Sequence, residues 1–247
     1  METALSVFRN EKKYLLSHGE TLKIRNSLDK ILTRDAHSGS KGYIVRSLYF
    51  DSVNNIDYMT KLAGTQIRKK IRLRIYSPDA DRCKLEVKNK NGDLQHKVSI
   101  WLDRADAAEL IKCNYSVLVK YFEDSPEAAS IYKMMVLGVY RPVVLVEYDR
   151  IAYTYPLFNT RITIDMNIRS SESNMDLFCE KPMYNMIMND MDVLEVKYNE
   201  KLMGFISKTL SQFNLVNISA SKYCMGRKVF CDFEFKISGH FYIQILK

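Results

Sequence analysis

Short segments in which aliphatic and charged residues alternate recur along this chain of 247 residues. In residues 71–76, the sequence IRLRIY places Arg72, Arg74 and Tyr76 at alternate positions, with aliphatic residues between them. Successive side chains of a strand point to opposite faces of its sheet, so this segment predicts a strand with one apolar face and one basic face. The chain must therefore cover the apolar faces while the charged faces meet water or a ligand.

The same alternation predicts a charged face on five further strands. These faces are formed by Arg9, Glu11 and Lys13; by Lys84, Glu86 and Lys88; by Tyr148 and Arg150; by Arg161, Thr163 and Asp165; and by Glu195 and Lys197. Any sheet with one wet side alternates in this way, so a single strand of this kind indicates little. Six strands that all carry Arg or Lys, in place of Ser, Thr and Gln, favour an anionic ligand.

The hydrophobic pattern predicts an α+β fold with eight strands. The predicted strands cover 8–16, 43–50, 67–76, 83–90, 95–102, 142–153, 161–169 and 193–198. The predicted helices cover 20–32, 51–62, 104–112, 126–137, 202–213 and 221–227, and 170–190 is expected to be irregular. Turn signals at 77–79 and 91–93 separate three consecutive strands, and the second signal is typical of a hairpin.

This pattern leads us to expect a closed or nearly closed antiparallel β-barrel of about eight strands, with the helices packed outside. Residues 1–228 are predicted to form a single domain. Residues 229–247 are predicted to be a C-terminal tail, for which the sequence gives no role.

The charged faces of such a barrel would converge on its lumen, where like charges repel unless an anion neutralises them. The chain has 37 Lys and Arg residues against 29 Asp and Glu residues, a net charge of +8. Arg holds phosphate oxygens in a bidentate fork, and Lys adds a mobile point charge. A polyanion is therefore the expected ligand.

Two roles are open to the acidic residues that stand among these bases, which are Glu11, Glu86, Glu147, Asp165 and Glu195. They can pair with the neighbouring Lys and Arg. Alternatively, their oxygens can hold a hard divalent cation whose remaining ligands are phosphates. Glu195 is the strongest candidate for a metal ligand, since it lies in a short Leu-Glu-Val-Lys strand late in the chain.

Eight short motifs together resemble the catalytic domain of the vacuolar transporter chaperone (VTC) polyphosphate polymerases. That family lies within the CYTH-like, or triphosphate tunnel metalloenzyme, superfamily. The motifs occur in family order and are RNEKKY at 9–14, SLYFD at 47–51, IRLRIY at 71–76, LEVK at 85–88, EYDR at 147–150, RITID at 161–165, LEVK at 194–197 and SKY at 221–223.

The resemblance implies an ATP-dependent enzyme that transfers the γ-phosphoryl group of ATP to a growing polyphosphate chain inside a β-barrel tunnel. By motif position, the implied catalytic residues are Arg72, Arg74, Arg150 and Lys197, and the implied further phosphate ligands are Lys13, Lys88, Tyr148, Arg161 and Lys222. Glu195 is the implied ligand of Mn²⁺ or Mg²⁺, with Glu11 as a second candidate. Phosphoryl transfer requires positioning and positive charge more than a protein nucleophile, which suits this set.

The first motif departs from that of the hydrolytic superfamily members, which carry ExExK near the start. Arg9 stands at the first acidic position here, which weakens a water-activating metal site and favours a long polyanion. A triphosphatase of the same fold and a non-catalytic module that binds polyphosphate or nucleotides stay open as alternatives. Specific nucleic-acid binding is disfavoured, because no stacking platform or recognition-helix motif is evident.

The sequence also predicts a cytoplasmic protein. Its five cysteines form no CxxC pair and are odd in number, which favours reduced thiols. Charged residues interrupt any N-terminal signal, and no segment approaches the roughly 20 apolar residues of a membrane span. Any membrane association is therefore expected to need a membrane-protein partner.

Overall fold

The computed structural model describes residues 9–92 and 94–228, together with their side chains except that of Arg9. The strands are β1 (Arg9–Ser17), β2 (Thr33–Arg34), β3 (Tyr43–Asp51), β4 (Ile67–Ile75), β5 (Arg82–Asn91), β6 (Leu94–Asp103), β7 (Arg141–Tyr155), β8 (Thr160–Ser171), β9 (Asn185–Met186), β10 (Met191–Asn199) and β11 (Val216–Asn217). The α-helices are α1 (His18–Leu28), α2 (Ile56–Leu62), α3 (Arg104–Ile111), α4 (Pro126–Gly138) and α5 (Gly204–Leu210). Shorter 3₁₀ helices span Tyr115–Tyr121 and Leu157–Asn159, and residues 222–228 are also helical.

The α+β class and the eight predicted strands are confirmed, with strand ends that differ by at most two residues. Three strands of two residues each, β2, β9 and β11, were not predicted, because two residues carry no readable alternation. One of them, β9, lies in the segment expected to be irregular. The start of the first predicted strand, Phe8, and the predicted tail lie outside the described residues.

The expectation of a closed eight-stranded barrel is wrong for the described residues. Eleven strands form one open sheet in the order β11-β1-β10-β8-β7-β3-β4-β5-β6, with β2 beside β7 and β9 beside β8. Alternation determines which face of a sheet a side chain occupies. Closure depends in addition on strand tilt and stagger, which alternation does not encode.

The described chain divides into two compact units. The first unit comprises residues 9–45, 147–168 and 188–220, and the second comprises 46–146, 169–187 and 221–228. The strands β3, β7 and β8 each supply residues to both units, whereas β1, β10 and α1 belong to the first and β4 to β6, α3 and α4 belong to the second.

In the first unit, α1 and α5 cover the apolar sides of β1, β8 and β10. Their shared core contains Leu16, Ile24, Leu28, Ile162, Ile164, Leu194, Val196 and Ile206. A capping box starts α1, because Ser17 Oγ accepts a hydrogen bond from the Glu20 backbone N–H at 3.3 Å and Glu20 Oε2 accepts one from the Ser17 backbone N–H at 2.8 Å. Burial of this apolar side leaves the alternate, charged side chains on the other face of the strands.

The second unit buries the aliphatic side of β3 to β6 under α3 and α4. Its core includes Leu48, Phe50, Ile71, Leu73, Leu85, Val87, Leu110, Ile131 and Met135. The helix predicted for 51–62 begins only at Ile56, after Asp51 and Ser52. Asp51 accepts hydrogen bonds from the backbone N–H groups of Asp57 and Tyr58, both at 3.0 Å. None of the helices in residues 9–92 and 94–228 has the length and apolar composition needed to cross a bilayer.

Candidate functional site

Lys and Arg side chains dominate one face of β4, β5 and β6 in the second unit. The strand register sets this face out in four rows, which are Arg68, Lys90 and Gln95; Lys70, Lys88 and Lys97; Arg72, Glu86 and Ser99; and Arg74, Lys84 and Trp101. We call these twelve residues the basic face. Eight of them are Lys or Arg, and only Glu86 is acidic. Like charges directly opposite each other destabilise a sheet, so an anion bound here would relieve repulsion.

Glu86 organises the arginines of the basic face. Its side chain is buried, and its Oε2 accepts a hydrogen bond from Arg72 Nε at 2.7 Å and lies 3.7 Å from Arg74 Nη1. Lys97 forms a salt bridge to the other carboxylate oxygen. Burial favours the protonated form of Glu86, but Arg72, Arg74 and Lys97 outweigh it and hold the pKa of this carboxyl well below its usual range. Glu86 is therefore an ionised anchor that fixes the direction of both guanidinium groups.

Two side chains of β3 complete the edge of the basic face. Ser47 lies opposite Arg74 and Tyr49 opposite Arg72 in the register. Arg74 Nε donates to Ser47 Oγ at 3.2 Å, and Arg72 Nη1 donates to the Tyr49 hydroxyl oxygen at 3.1 Å. Burial opposes ionisation of Tyr49, but Arg72, Arg74 and Lys70 overcome it and lower the pKa of this phenol to about 8. The electrostatic potential at the Tyr49 hydroxyl is therefore strongly positive.

The lysine row of Lys70, Lys88 and Lys97 crosses the centre of the basic face. Lys70 Nζ donates to Ser221 Oγ at 2.8 Å, which brings the start of the 222–228 helix to this face. Lys222 is the first residue of that helix and is partly buried. The structure thus brings together three predicted site residues on the basic face, Arg72, Arg74 and Lys88, with Lys222 following directly after Ser221.

The first unit assembles the remaining predicted site residues on β1, β7, β8 and β10. Across the strands, Lys13 lies opposite Glu195, which lies opposite Thr163, and Glu11 lies opposite Lys197, which lies opposite Arg161. We call Glu11, Lys13, Arg150, Arg161, Asp165, Glu195 and Lys197 the paired cluster.

Carboxylates lie close to both lysines of the paired cluster. Lys13 Nζ is 3.1 Å from Glu11, and Lys197 Nζ is 2.6 Å from Glu195 and 3.9 Å from Glu11. Burial opposes the charge on Lys13, yet Glu195 and Glu11 more than compensate and raise the pKa of its ammonium group. Lys13 is consequently held as a cation, and the ion pairs fix the positions of both lysines.

The two arginines of the paired cluster also have carboxylate partners. Arg150 makes a bidentate contact with the fully buried Asp165 at 2.6 and 2.8 Å, and its guanidinium lies 5.2 Å from the centre of the Tyr148 ring. Burial acts against the charge of Arg150, but Asp165 raises its pKa further above the usual range. Arg161 forms a 2.7 Å ion pair with Asp35. Together with Asp35, the paired cluster has as many carboxylates as cations, in contrast to the basic face.

The oxygen atoms around Glu195 suit a hard divalent cation that keeps water and phosphate ligands. Glu195 is buried, and Glu11 supplies a second carboxylate joined to it through Lys197. Thr163 Oγ1, opposite Glu195, is buried and makes no hydrogen bond within the described part of the chain. Mg²⁺ and Mn²⁺ sites of this kind use one or two carboxylates and take their other oxygens from phosphate and water. Residues 9–92 and 94–228 contain no group of three or more His, Cys, Asp and Glu side chains placed to hold a metal.

Sequence reasoning missed Tyr49, Lys70 and Lys97 as members of the site. Lys70 stands two residues before Arg72, so the period-two pattern was already sufficient to place it on the same face. Lys97 could be placed only with the register of the β5–β6 hairpin, which pairs it with Lys88. Tyr49 carried no charge to reveal it, although it lies within the SLYFD motif.

The comparisons with known proteins give a family match and similar solved structures. A family model for the VTC domain matches residues 8–231. Two solved proteins described as "putative adenylate cyclases", from Vibrio parahaemolyticus and Bacillus halodurans, are each 12% identical to this chain, with TM-scores of 0.48 and 0.47. The first alignment covers 89% of this chain and 97% of the other protein, and the second covers 87% and 95%. The search of curated proteins finds no match.

Proposed function

The chain belongs to the VTC domain family, whose model spans residues 8–231, and from this premise we propose that it is an ATP-dependent polyphosphate polymerase. In this reaction a terminal phosphate oxygen of the growing chain forms a bond to the γ-phosphorus of ATP. The bond from that phosphorus to the β–γ bridging oxygen breaks, and ADP leaves. The products are ADP and a polyphosphate one phosphate longer.

The excess of cations on the basic face carries this proposal. Eight Lys and Arg side chains share one sheet face with a single carboxylate, Glu86. A phosphate chain carries about one negative charge per phosphate, so it can neutralise several of these rows at once. Phosphoryl transfer is promoted chiefly by positioning and by positive charge at the phosphate oxygens, which this face supplies without a protein nucleophile.

The proposed roles are those that the resemblance to the family implies by motif position. Arg72 and Arg74, fixed by Glu86, would bind the phosphates of the nucleotide, and Lys88 would bind the phosphate chain with Lys222. In the first unit, Arg150 and Lys197 would stabilise charge on the transferred group. Lys13, Arg161 and the Tyr148 hydroxyl would be further phosphate ligands.

A divalent cation, Mn²⁺ or Mg²⁺, would be held by Glu195 with Glu11 as the second carboxylate, and when bound it would neutralise negative charge on the phosphates. Lys197 lies beside both carboxylates, 2.6 Å from Glu195 and 3.9 Å from Glu11. Cytoplasmic location and recruitment by a membrane-protein partner stay predictions of the sequence.

The test is the product formed by the purified full chain from ATP labelled in its γ-phosphate. With Mn²⁺ or Mg²⁺ present, we expect labelled phosphate chains that form a ladder on a gel, together with an equivalent amount of ADP. Free labelled phosphate without chains would identify a triphosphatase instead. Tight, salt-sensitive binding of tripolyphosphate without turnover would identify a binding module.

Arg72→Ala provides the matching test of the site. This variant is expected to lose turnover by a factor of about 100 to 1,000, as does removal of a single group that stabilises transition-state charge. Lys133→Gln removes an exposed lysine of α4 and serves as the control for a change of net charge. Circular dichroism of both variants would show whether the fold is kept. Near wild-type turnover in Arg72→Ala would refute this assignment.

A further inference from the structure

Two motifs that are distant in the sequence, SLYFD at 47–51 and SKY at 221–223, contact each other in the second unit. The Tyr223 hydroxyl donates a hydrogen bond to the Asp51 carboxylate. The rings of Tyr49 and Tyr223 stack, with centroids 5.2 Å apart and an interplanar angle of 29°. Neither Asp51 nor Tyr223 belongs to the basic face, so neither has been given a role in ligand binding.

Asp51 is held in place by the backbone. Its carboxylate is fully buried and accepts hydrogen bonds from the backbone N–H groups of Ser52 at 2.7 Å and of Asp57 and Tyr58 at 3.0 Å each. Three hydrogen bonds from backbone N–H groups within residues 52–58 leave the carboxylate little freedom to move. The hydrogen bond from Tyr223 therefore ends on a fixed acceptor.

Tyr223 links the start of the 222–228 helix to this fixed carboxylate. Burial, and then the hydrogen bond to Asp51, raise the pKa of Tyr223 above its ordinary value, so its hydroxyl stays a proton donor. Its ring also packs edge-on against Tyr58, with centroids 6.1 Å apart. The helix is thus attached to β3 and α2 by a buried polar bond and two aromatic contacts.

Ser221 connects the same helix to the basic face. Its hydroxyl oxygen accepts a hydrogen bond from the Cys224 backbone N–H at 3.3 Å, which is the bond of a helix N-cap, and another from Lys70 Nζ at 2.8 Å. On the other side, the stacked Tyr49 accepts a hydrogen bond from Arg72 at 3.1 Å. Segment 221–223 therefore contacts Lys70 directly, through Ser221, and Arg72 indirectly, through Tyr49.

We propose that Asp51 and Tyr223 are positioning residues that hold segment 221–223 against the basic face, so that Lys70, Arg72 and Lys222 meet a phosphate chain in fixed geometry. The inference rests on the proposed function for the nature of the ligand. The inference adds a physical reason for the affinity of the basic face for a phosphate chain. Cations on flexible stems lose conformational entropy when they bind an anion, and a prior constraint reduces that loss.

Tyr223→Phe is the sharpest variant, because it removes the hydroxyl and keeps both ring contacts. Titration calorimetry with inorganic tripolyphosphate measures the effect without requiring turnover. We expect the Kd for tripolyphosphate to rise about tenfold, as for the loss of a hydrogen bond to a charged group. Tyr140→Phe is the matched control, since Tyr140 is equally buried and its hydroxyl donates to Asp57 at 2.9 Å, whereas that of Tyr223 donates to Asp51.

Both variants lose one buried Tyr–Asp hydrogen bond, so similar decreases in Tm are expected, with weaker binding in Tyr223→Phe alone. Unchanged tripolyphosphate binding in Tyr223→Phe would overturn the positioning role and leave the proposed function standing. Equal weakening in both variants would also overturn it, because general destabilisation would then explain the effect. A wild-type protein that does not bind tripolyphosphate would overturn both proposals.

Discussion

At the scale of single residues, Glu86 shows how one carboxylate can organise several cations. It is buried and bound to Arg72, Arg74 and Lys97, so its loss would leave buried positive charge without compensation. We expect Glu86→Gln to lower the free energy of unfolding by about 3 kcal/mol, which is typical for breaking a buried ion pair. Urea denaturation would measure this loss.

Added tripolyphosphate should restore part of the stability of Glu86→Gln, because a ligand that binds the folded state stabilises it. Glu109→Gln is the control, since Glu109 forms an exposed ion pair with Lys112 at 2.7 Å and should cost less than about 1 kcal/mol. Wild-type stability in Glu86→Gln, or no gain with tripolyphosphate, would contradict this account of the basic face.

The lowered pKa of Glu86 also gives a direction for the dependence of stability on pH. Its folded-state pKa lies below that of an unfolded glutamate, so its ionisation stabilises the folded state above the usual glutamate range. This stabilisation is lost as the pH falls from that range towards the folded-state pKa. Glu86→Gln should therefore show a smaller loss of stability on acidification than the wild type, measured as urea midpoints across acidic pH.

Ionisation of Tyr49, which can be followed by ultraviolet absorbance, reports the positive electrostatic potential of the basic face. Its pKa of about 8 lies below the value of about 10 for an ordinary tyrosine, so the folded state gains stability as the pH rises between these values. Ultraviolet titration should show one tyrosine ionising near this lower pKa in the wild type and none there in Tyr49→Phe. Tripolyphosphate should raise this pKa, because it neutralises the nearby arginines. A Tyr49 that titrates like the exposed tyrosines would refute the positive field.

At the scale of elements, the lysine row of β4, β5 and β6 lowers the stability of the folded state and favours binding of a phosphate chain. Lys88 stands directly between Lys70 and Lys97, an arrangement that costs about 0.2–1 kcal/mol for each like-charged pair. Lys88→Gln should therefore raise Tm in low salt without ligand and weaken tripolyphosphate binding. Differential scanning calorimetry and titration calorimetry measure the two effects, with Lys133→Gln as the control. A variant that loses stability and keeps its affinity would contradict a binding role for this row.

The elements themselves were largely predictable from the sequence. Alternation in 71–76 and 84–88 was sufficient to place Arg72, Arg74 and Lys88 on one face, because the period of a strand is two. The start of α2 was predicted five residues too early, since Asp51 and Ser52 precede the helix and accept hydrogen bonds from its first N–H groups. The end of α1 was predicted four residues too late, as Ile31 and Leu32 continue the apolar spacing after the helix has ended at Leu28.

At the scale of the whole molecule, the sequence indicated which side chains share a face better than it indicated whether the sheet closes. The open sheet differs from the predicted barrel because the alternation of side chains carries no information on tilt and stagger. The contact of Tyr223 with Asp51 joins residues 172 positions apart, and no local pattern predicts such a pair. The single domain over 1–228 stays a prediction.

Binding of phosphate by the basic face is the central claim, and a crystal structure of the wild-type protein with tripolyphosphate tests it most directly. We predict phosphate oxygens within hydrogen-bond distance of Arg72, Arg74 and Lys88, with Glu86 still bound to Arg72. Tripolyphosphate bound elsewhere, with these three side chains unchanged and in contact only with protein and water, would contradict the claim.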